Sequence, residues 1–127
     1  MIAALFRDGT SRKLLLDNNA LFFAPEELLE ELASHRKMIL ERSGLAPDDL
    51  EIAIVFLLSR IRIVPSSHYS HLLEEVLIHD EKDRPFLALA LALKIDGIWT
   101  HDKDFFEQRT VRIFTNNDLL RLLEKIK

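Results

Sequence analysis

The sequence contains no cysteine and few of the residues that interrupt regular structure. It has three glycines and four prolines among its 127 residues. Without cysteine, disulfides, thiolate metal sites and cysteine nucleophiles are excluded. The sequence is 48% apolar and 30% charged, a composition typical of one compact domain, so we predict a single domain over residues 1–127 with no linker and no low-complexity segment.

Long hydrophobic runs and an excess of positive charge are also missing. No apolar run approaches the roughly 20 residues of a membrane span, and the start of the chain lacks the basic lead of a signal peptide. We therefore expect a cytoplasmic protein that makes no contact with membranes. The net charge of -4 argues against a protein that coats nucleic acid through a broad basic face, but it is compatible with phosphate binding through a metal ion.

Short apolar runs alternate with helical patterns along the chain. We predict strands at residues 21–24, 61–64, 97–100 and 111–114. Helices are predicted at residues 10–16, 25–43, 47–60, 69–77, 86–94 and 115–124, and residues 1–6 are interpreted as the end of a helix that Gly9 terminates. Strands separated by helices indicate a mostly parallel sheet that is covered on both faces.

Acidic residues gather around the apolar helix predicted at 86–94. Asp83 comes just before Pro85, near the expected helix N-cap, where free N–H groups and the helix dipole favour a carboxylate. Asp102 and Asp104 follow the strand predicted at 97–100, and ligands of α/β sheets bind outside the carboxyl ends of strands. Carboxylates that meet at one edge repel each other unless a cation lies between them, and Mg²⁺ and Mn²⁺ prefer oxygen ligands. This pattern predicts part of a metal site.

The helix predicted from residue 25 contributes a further candidate acid. Three of its glutamates, Glu26, Glu27 and Glu30, point away from its apolar stripe on a helical wheel, whereas Glu31 lies nearest the margin of that stripe. A side chain at this margin could reach the edge of the sheet. On the helical pattern alone, Glu31 is more often a solvated acid than a ligand, Asp83 is as well explained by an N-cap, and Asp102 and Asp104 by a turn.

Three segments together resemble the PIN domains, a family of small α/β proteins that commonly act as metal-dependent ribonucleases, often as the toxin of a toxin-antitoxin pair. The segments are APEELLEEL at 24–32, DEKDRPFLALA at 80–90 and WTHDKDF at 99–105. The resemblance implies that Glu31, Asp83, Asp102 and Asp104 are catalytic metal ligands, with Glu30 and Asp80 as alternatives in register. It also implies Mg²⁺ or Mn²⁺ as cofactor, RNA as substrate, an antitoxin as possible partner and a homodimer.

The sequence departs from the PIN pattern at its start. PIN domains open with a central strand that ends in a metal-binding Asp, and residues 1–8 contain no match to that strand. Either the native chain begins further upstream, or the strand and its Asp have been lost. For the given sequence we expect a PIN-like three-layer sandwich, a mostly parallel sheet flanked by helices, that lacks the first central strand. Apolar faces left uncovered by the missing strand would cost about 25 cal/mol per Å², which adds a reason to expect pairing between two copies.

Three functions from different classes are compatible with these features. The first is a ribonuclease that hydrolyses phosphodiester bonds through a carboxylate-bound metal ion. The second is a PIN-like interaction or RNA-binding module without catalysis, which the missing Asp favours. The third is an acidic Mg²⁺ site of another phosphotransfer class, which the lack of a phosphate-binding motif makes the weakest. Candidate phosphate contacts are Arg7, Arg12, Lys13, Arg84 and Lys103.

Overall fold

The computed structural model describes residues 9–78 and 80–126, and six α-helices and four strands lie in these two ranges. The helices are α1 (Gly9–Leu15), α2 (Glu27–Ser34), α3 (Arg36–Ser43), α4 (Pro47–Leu58), α5 (Arg84–Leu93) and α6 (Asn116–Ile126). The strands are β1 (Phe22–Pro25), β2 (Ile61–Val64), β3 (Ile98–Trp99) and β4 (Ile113–Phe114). None of the helices in these ranges combines the length and apolarity needed to cross a membrane. The helix predicted at residues 1–6 lies outside the described residues, as does Arg7.

The strands associate in two parallel pairs. β1 pairs with β2, with Phe22 opposite Ile61, and β3 pairs with β4, with Ile98 opposite Ile113. Among the described residues no strand connects the two pairs, so they form two small sheets. Helices combined with short parallel strands agree with the predicted α/β class. The three-layer sandwich with a missing central strand stays a prediction.

Two local predictions were wrong. Pro25 is the last residue of β1, opposite Val64 of β2, and not the first residue of a helix. A proline is tolerated there because an N–H at this position would not donate to the partner strand. The long helix predicted from there is divided at His35, whose Nδ1 lies 3.0 Å from the carbonyl oxygen of Glu31, a local contact that competes with continued helix. Gly9 is the first described residue of α1, and the helix end predicted before it lies outside the described residues.

The helix predicted at residues 69–77 is replaced by two short 3₁₀ turns, Ser66–His68 and Ser70–Leu72. Tyr69 between them is fully buried and its hydroxyl donates to the Glu27 carboxylate. Burial and the neighbouring Glu27 carboxylate raise the pKa of Tyr69. The buried Tyr69 ring and its hydrogen bond to Glu27 hold residues 66–72 in tight 3₁₀ turns, which local helical propensity alone does not favour.

Two predicted helix ends are confirmed. Gly44 ends α3 in the left-handed conformation with a φ of 71°, which a glycine adopts without a steric penalty. At the start of α6, the Thr115 hydroxyl accepts from the Asp118 amide, and the Asp118 carboxylate accepts from the Thr115 amide at 3.0 Å. This reciprocal pair satisfies two amides at the helix start and keeps the pKa of Asp118 below its usual value.

The close contact of β3 and β4 depends on Gly97. A Cβ placed on this residue would lie 2.4 Å from the Phe114 ring and 2.6 Å from the Arg112 carbonyl oxygen. Because the Ile98 amide donates to that same carbonyl at 2.8 Å, the strand cannot move away without losing its first ladder bond. Only glycine fits at position 97.

The central helix of the larger apolar cluster is α5. Its residues Leu87, Ala88, Leu89 and Ala90 are all 2% exposed or less, and they pack with side chains from both strand pairs and the 3₁₀ segment, including Val64, Tyr69, Ile98 and Phe105. A second cluster is built around Leu15, Ile39, Leu50 and Leu57. The packing of α5 therefore determines where its first residues lie relative to the strand ends.

We expect Leu87→Ala to lower the free energy of unfolding by about 2 to 5 kcal/mol, because the buried side chain leaves a cavity. Leu93→Ala on the same helix is the matched control, since Leu93 is 36% exposed and its truncation should cost less than about 1 kcal/mol. Urea unfolding followed by circular dichroism measures both. Equal losses for the two variants would contradict the central position of α5.

Candidate metal centre

The first acidic residues of the site are held by the turn that leads into α5. A 3₁₀ turn covers Glu81–Asp83, and the Asp80 carboxylate accepts from the Lys82 amide at 3.0 Å. The Asp83 amide donates to the Asp80 carbonyl oxygen, also at 3.0 Å. These bonds fix Asp80 and Asp83 relative to each other, so both carboxylates are presented at the amino end of α5.

The remaining acids come from the segment after β3. Thr100 is 4% exposed, and its hydroxyl accepts from the Asp102 amide at 3.0 Å. The Asp102 carboxylate in turn accepts from the Asp104 amide at 3.0 Å and begins the 3₁₀ turn Lys103–Glu107. Phe105, 4% exposed, anchors this turn in the core. The chain therefore turns back at the carboxyl end of β3 and brings Asp104 towards α5.

The two segments bring three carboxylates together. Oxygen atoms of Asp80, Asp83 and Asp104 all lie within 4.8 Å of one another. One carboxylate oxygen of Asp83, Oδ2, is buried and has no hydrogen-bond partner among the described residues. We call these three residues the acidic cluster.

Asp83 carries the strongest electrostatic perturbation among the acids of this region. Its pKa is raised to about 6, first by burial and then by the negative charges of Asp102, Asp80, Asp104 and Glu31, in that order of importance. A carboxylate that is partly desolvated and surrounded by like charges is a group that an added cation stabilises. The same geometry explains why Asp83, although at the predicted N-cap position, accepts no capping hydrogen bond.

The predicted ligands occupy different positions around this centre. Asp83 and Asp104 lie in the acidic cluster, together with Asp80, which was an alternative in register. Asp102 and Glu31 are outside the cluster and exposed, but the charge of each acts on Asp83. Their roles as metal ligands, like those of Asp83 and Asp104, stay predictions.

The donor set fits a divalent cation. All the donor atoms are carboxylate oxygens, which suit hard cations, and the unpartnered Asp83 oxygen offers a lone pair that no protein group uses. A cation at this position would also offset the mutual repulsion that raises the pKa of Asp83. The geometry supports a divalent metal site without specifying which ion it holds.

A cleft of about 260 Å³ opens beside the acids. Glu31, Asp83 and Asp102 line it, and so do His35 and Arg42, two polar residues that the sequence reasoning missed. The spacing of residues 31, 35, 38 and 42 is that of one helical face and was the available signal, although the break at His35 divides this face between α2 and α3. Arg84, next to Asp83, has a buried Nε atom with no hydrogen-bond partner in the part of the chain that the structure describes.

We expect the metal-free protein to become more stable as the pH falls from 7 to 5. Because the pKa of Asp83 is raised to about 6, the folded state holds its proton more tightly than the unfolded state, and stability decreases as the pH rises through this window. After allowance for solvent screening the effect is about 1 kcal/mol. Thermal unfolding in EDTA of the wild type and Asp83→Asn measures it, since the substitution should remove this part of the pH dependence.

The complementary measurement is thermal unfolding with Mn²⁺ or Mg²⁺ at pH 7. The wild type should gain stability with increasing metal concentration, whereas Asp83→Asn should gain little. Asp48→Asn, at an exposed position in the first turn of α4, is the control and should respond like the wild type. Equal metal stabilisation in all three proteins would contradict a site at Asp83.

Comparisons with known proteins show the family to which the chain belongs. Neither the comparison with curated proteins nor the comparison with solved structures gives a match. The family model described as PIN domain matches residues 1–117, a span that includes α1 to α5, all four strands and every acid of the site. The chain therefore belongs to the PIN domain family.

Proposed function

We propose that this protein is a ribonuclease that hydrolyses RNA phosphodiester bonds with Mg²⁺ or Mn²⁺ bound by its carboxylates. The observation that carries the proposal is the acidic cluster around Asp83, which contains a buried, unpartnered carboxylate oxygen. Membership of a nuclease-type family supports it. When bound, the metal would supply an activated water and stabilise the charge that develops on phosphorus.

The chain's own residues would position the metal and the substrate. Asp83, Asp104 and Asp80 form the oxygen-lined centre, and Asp102 holds the Asp104 turn through its bond to the Asp104 amide. Glu31 and Asp102 face the cleft beside this centre and are proposed as additional ligands or water-positioning groups. The carboxylates are negatively charged and do not attract phosphate. The RNA backbone therefore needs cationic side chains from outside the acidic cluster.

Two cationic residues stand next to the acids and suit the backbone of an RNA strand. Arg84 follows Asp83 directly, and Lys103 is exposed between Asp102 and Asp104. Arg42 lines the cleft on the side of α3. Because these charges lie on separate segments around the site, we propose that a single strand crosses the cleft with its phosphates contacting them.

We expect purified protein with Mn²⁺ to cut single-stranded RNA, and Asp83→Asn and Asp102→Asn each to lower the rate by at least about 100-fold, because the site loses a carboxylate. Asp48→Asn should cut at the wild-type rate. Gel analysis of a labelled RNA in Mn²⁺ and in EDTA measures this. Cleavage that persists in EDTA, or in Asp102→Asn, would rule out the proposed mechanism.

A second candidate is a PIN-like interaction or RNA-binding module without catalysis. It is favoured by the separation of the two strand pairs, since among the described residues no strand joins them and supplies a further acid to the acidic cluster. Such a protein would bind RNA or a partner with unchanged affinity in EDTA and show no metal-dependent cleavage. Fluorescence anisotropy with the same RNA, with and without EDTA, separates this function from the nuclease.

We also propose that the protein forms a homodimer through α4. Ile52, Val55 and Phe56 form an apolar stripe on its outer face, and each is more than half exposed. Apart from Asp48 and Asp49 at its start, this face carries no charge, so two copies can meet across a two-fold axis through the apolar stripe without burying like charges. The predicted antitoxin, the three-layer arrangement and the cytoplasmic location stay predictions.

Val55→Glu is expected to shift the protein from dimer to monomer, because each interface would then bury two charges that have no partner. Leu77→Glu, at a residue 85% exposed and away from α4, should leave the dimer intact. Light scattering at micromolar concentration gives the mass of each. A wild-type monomer would contradict the proposal.

A further inference from the structure

The segment between β3 and β4 brings Asp104 into the acidic cluster, and side chains hold it at both ends. At its start, the buried Thr100 hydroxyl accepts from the Asp102 amide, and the Asp102 carboxylate accepts from the Asp104 amide, each at 3.0 Å. At its end, the side chain of Gln108 binds the residues that lead into β4. Asp104 therefore lies between two hydrogen-bonded anchors.

The Gln108 side-chain amide uses both of its polar atoms. Its nitrogen, Nε2, donates to the carbonyl oxygen of Phe105 at 3.0 Å and to that of Val111 at 2.8 Å. Its oxygen, Oε1, accepts from the Val111 amide at 2.9 Å and from the Thr110 amide and hydroxyl, each at 3.0 Å. These partners define one orientation of the amide, since the reversed orientation would direct its NH₂ group at backbone amides and its oxygen at carbonyls.

These hydrogen bonds connect the turn that carries Asp104 to the beginning of β4. Phe105 follows Asp104 directly and is 4% exposed, Val111 is 9% exposed, and both belong to the apolar cluster around α5. The Gln108 side chain provides the N–H and the C=O of Val111 with the partners that a neighbouring strand would otherwise provide. One side chain thus ties the position of Asp104 to the edge of the core.

The residues around Gln108 face solvent. Glu107, Arg109 and Thr110 are exposed, so water can reach the backbone of this segment when the side-chain amide is removed. A segment of this kind opens locally at a lower free energy than the whole domain. We therefore expect a protein without the Gln108 amide to stay folded while Asp104 loses its fixed position.

The acidic cluster is sensitive to that position. Asp80 and Asp83 come from one turn, whereas Asp104 comes from a separate part of the chain, and oxygen atoms of all three lie within 4.8 Å of one another. Because Mg²⁺ binds oxygen at about 2.1 Å and tolerates little deviation from ideal geometry, even a small displacement of Asp104 would remove a ligand.

We propose that Gln108 is a positioning residue of the metal centre, whose side-chain amide keeps the Asp104 carboxylate within reach of Asp80 and Asp83. Gln108 acts through Asp104 and not by contact with the ion or the substrate. Removal of a group that orients a metal ligand commonly weakens metal binding by about 10- to 100-fold. The inference rests on the proposed metal-dependent function, in which Asp104 is a ligand.

The first test measures Mn²⁺ affinity from the electron paramagnetic resonance signal of the free ion. Gln108→Met, which has a similar length but no amide, should bind Mn²⁺ about 10-fold more weakly than the wild type. Gln108→Glu keeps the acceptor oxygen but loses both donors, so it should also bind more weakly, although its added negative charge alone would attract the cation.

The matched control for lost stability is Leu57→Ala in the second apolar cluster, which should bind Mn²⁺ like the wild type. Wild-type affinity in Gln108→Met would overturn the proposal. Equal losses of affinity in Gln108→Met and Leu57→Ala would overturn it as well, because they would indicate a general effect of destabilisation.

A double-mutant cycle tests whether Gln108 acts through Asp104. In a protein that already carries Asp104→Asn, the further change Gln108→Met should alter Mn²⁺ affinity by less than about 2-fold. A further loss as large as that in the wild type would show that Gln108 affects the site by another route, which would contradict the proposal.

Hydrogen exchange in the metal-free protein separates this proposal from the proposed function. The Asp104 amide, which donates to Asp102, should exchange several-fold faster in Gln108→Met than in the wild type or in Leu57→Ala. Unchanged exchange would overturn the role of Gln108, whether or not the protein binds Mn²⁺. Faster exchange in a protein that binds no Mn²⁺ would support the positioning of Asp104 by Gln108 and contradict the metal-dependent nuclease.

Discussion

The burial of α5 determines the geometry of the acidic centre. Leu87 to Ala90 are packed against side chains of both strand pairs, so the amino end of the helix cannot shift without disrupting the main core. Asp83 stands at this end, where the helix dipole and the free amides favour negative charge, yet its neighbours are also acids. The core therefore holds carboxylates together against their own repulsion, and this is a condition in which a cation contributes stability as well as chemistry.

The sequence predicted the start of α5 and the bounds of β2 better than it predicted the last two strands. The Asp83-Arg84-Pro85 motif, an acid followed by a proline and an apolar helix, located α5 to within two residues at its start, because turn chemistry and apolar runs are local properties. β2 was predicted with its observed bounds for the same reason. β3 and β4, by contrast, are two residues long, and their short pairing follows from tertiary contacts such as that of Gly97.

The sequence alone did not show which of the neighbouring acids reach the acidic cluster. Asp80 precedes the 3₁₀ turn that ends at Asp83, and both carboxylates reach the acidic cluster, whereas the resemblance gave Asp83 as the ligand and Asp80 as its alternative in register. Asp102 was expected as a ligand, but its carboxylate accepts from the Asp104 amide and so also supports the turn. The helix that carries Glu31 was predicted as one continuous element, and the division at His35 depends on a side-chain contact that no periodicity reveals.

Because β3 and β4 approach closely at Gly97, a substitution there affects folding, whereas a substitution in the acidic cluster affects function. A side chain at this position would collide with Phe114 and with the Arg112 carbonyl, and it would displace the strand that carries Thr100 and Asp102 on its far end. Loss of function at position 97 is thus accompanied by loss of folded protein. At Asp83, where removal of a charge relieves repulsion, function can be lost while the amount of folded protein is unchanged or greater. Abundance and activity, measured side by side across the chain, would therefore divide residues that shape the site from residues that act in it.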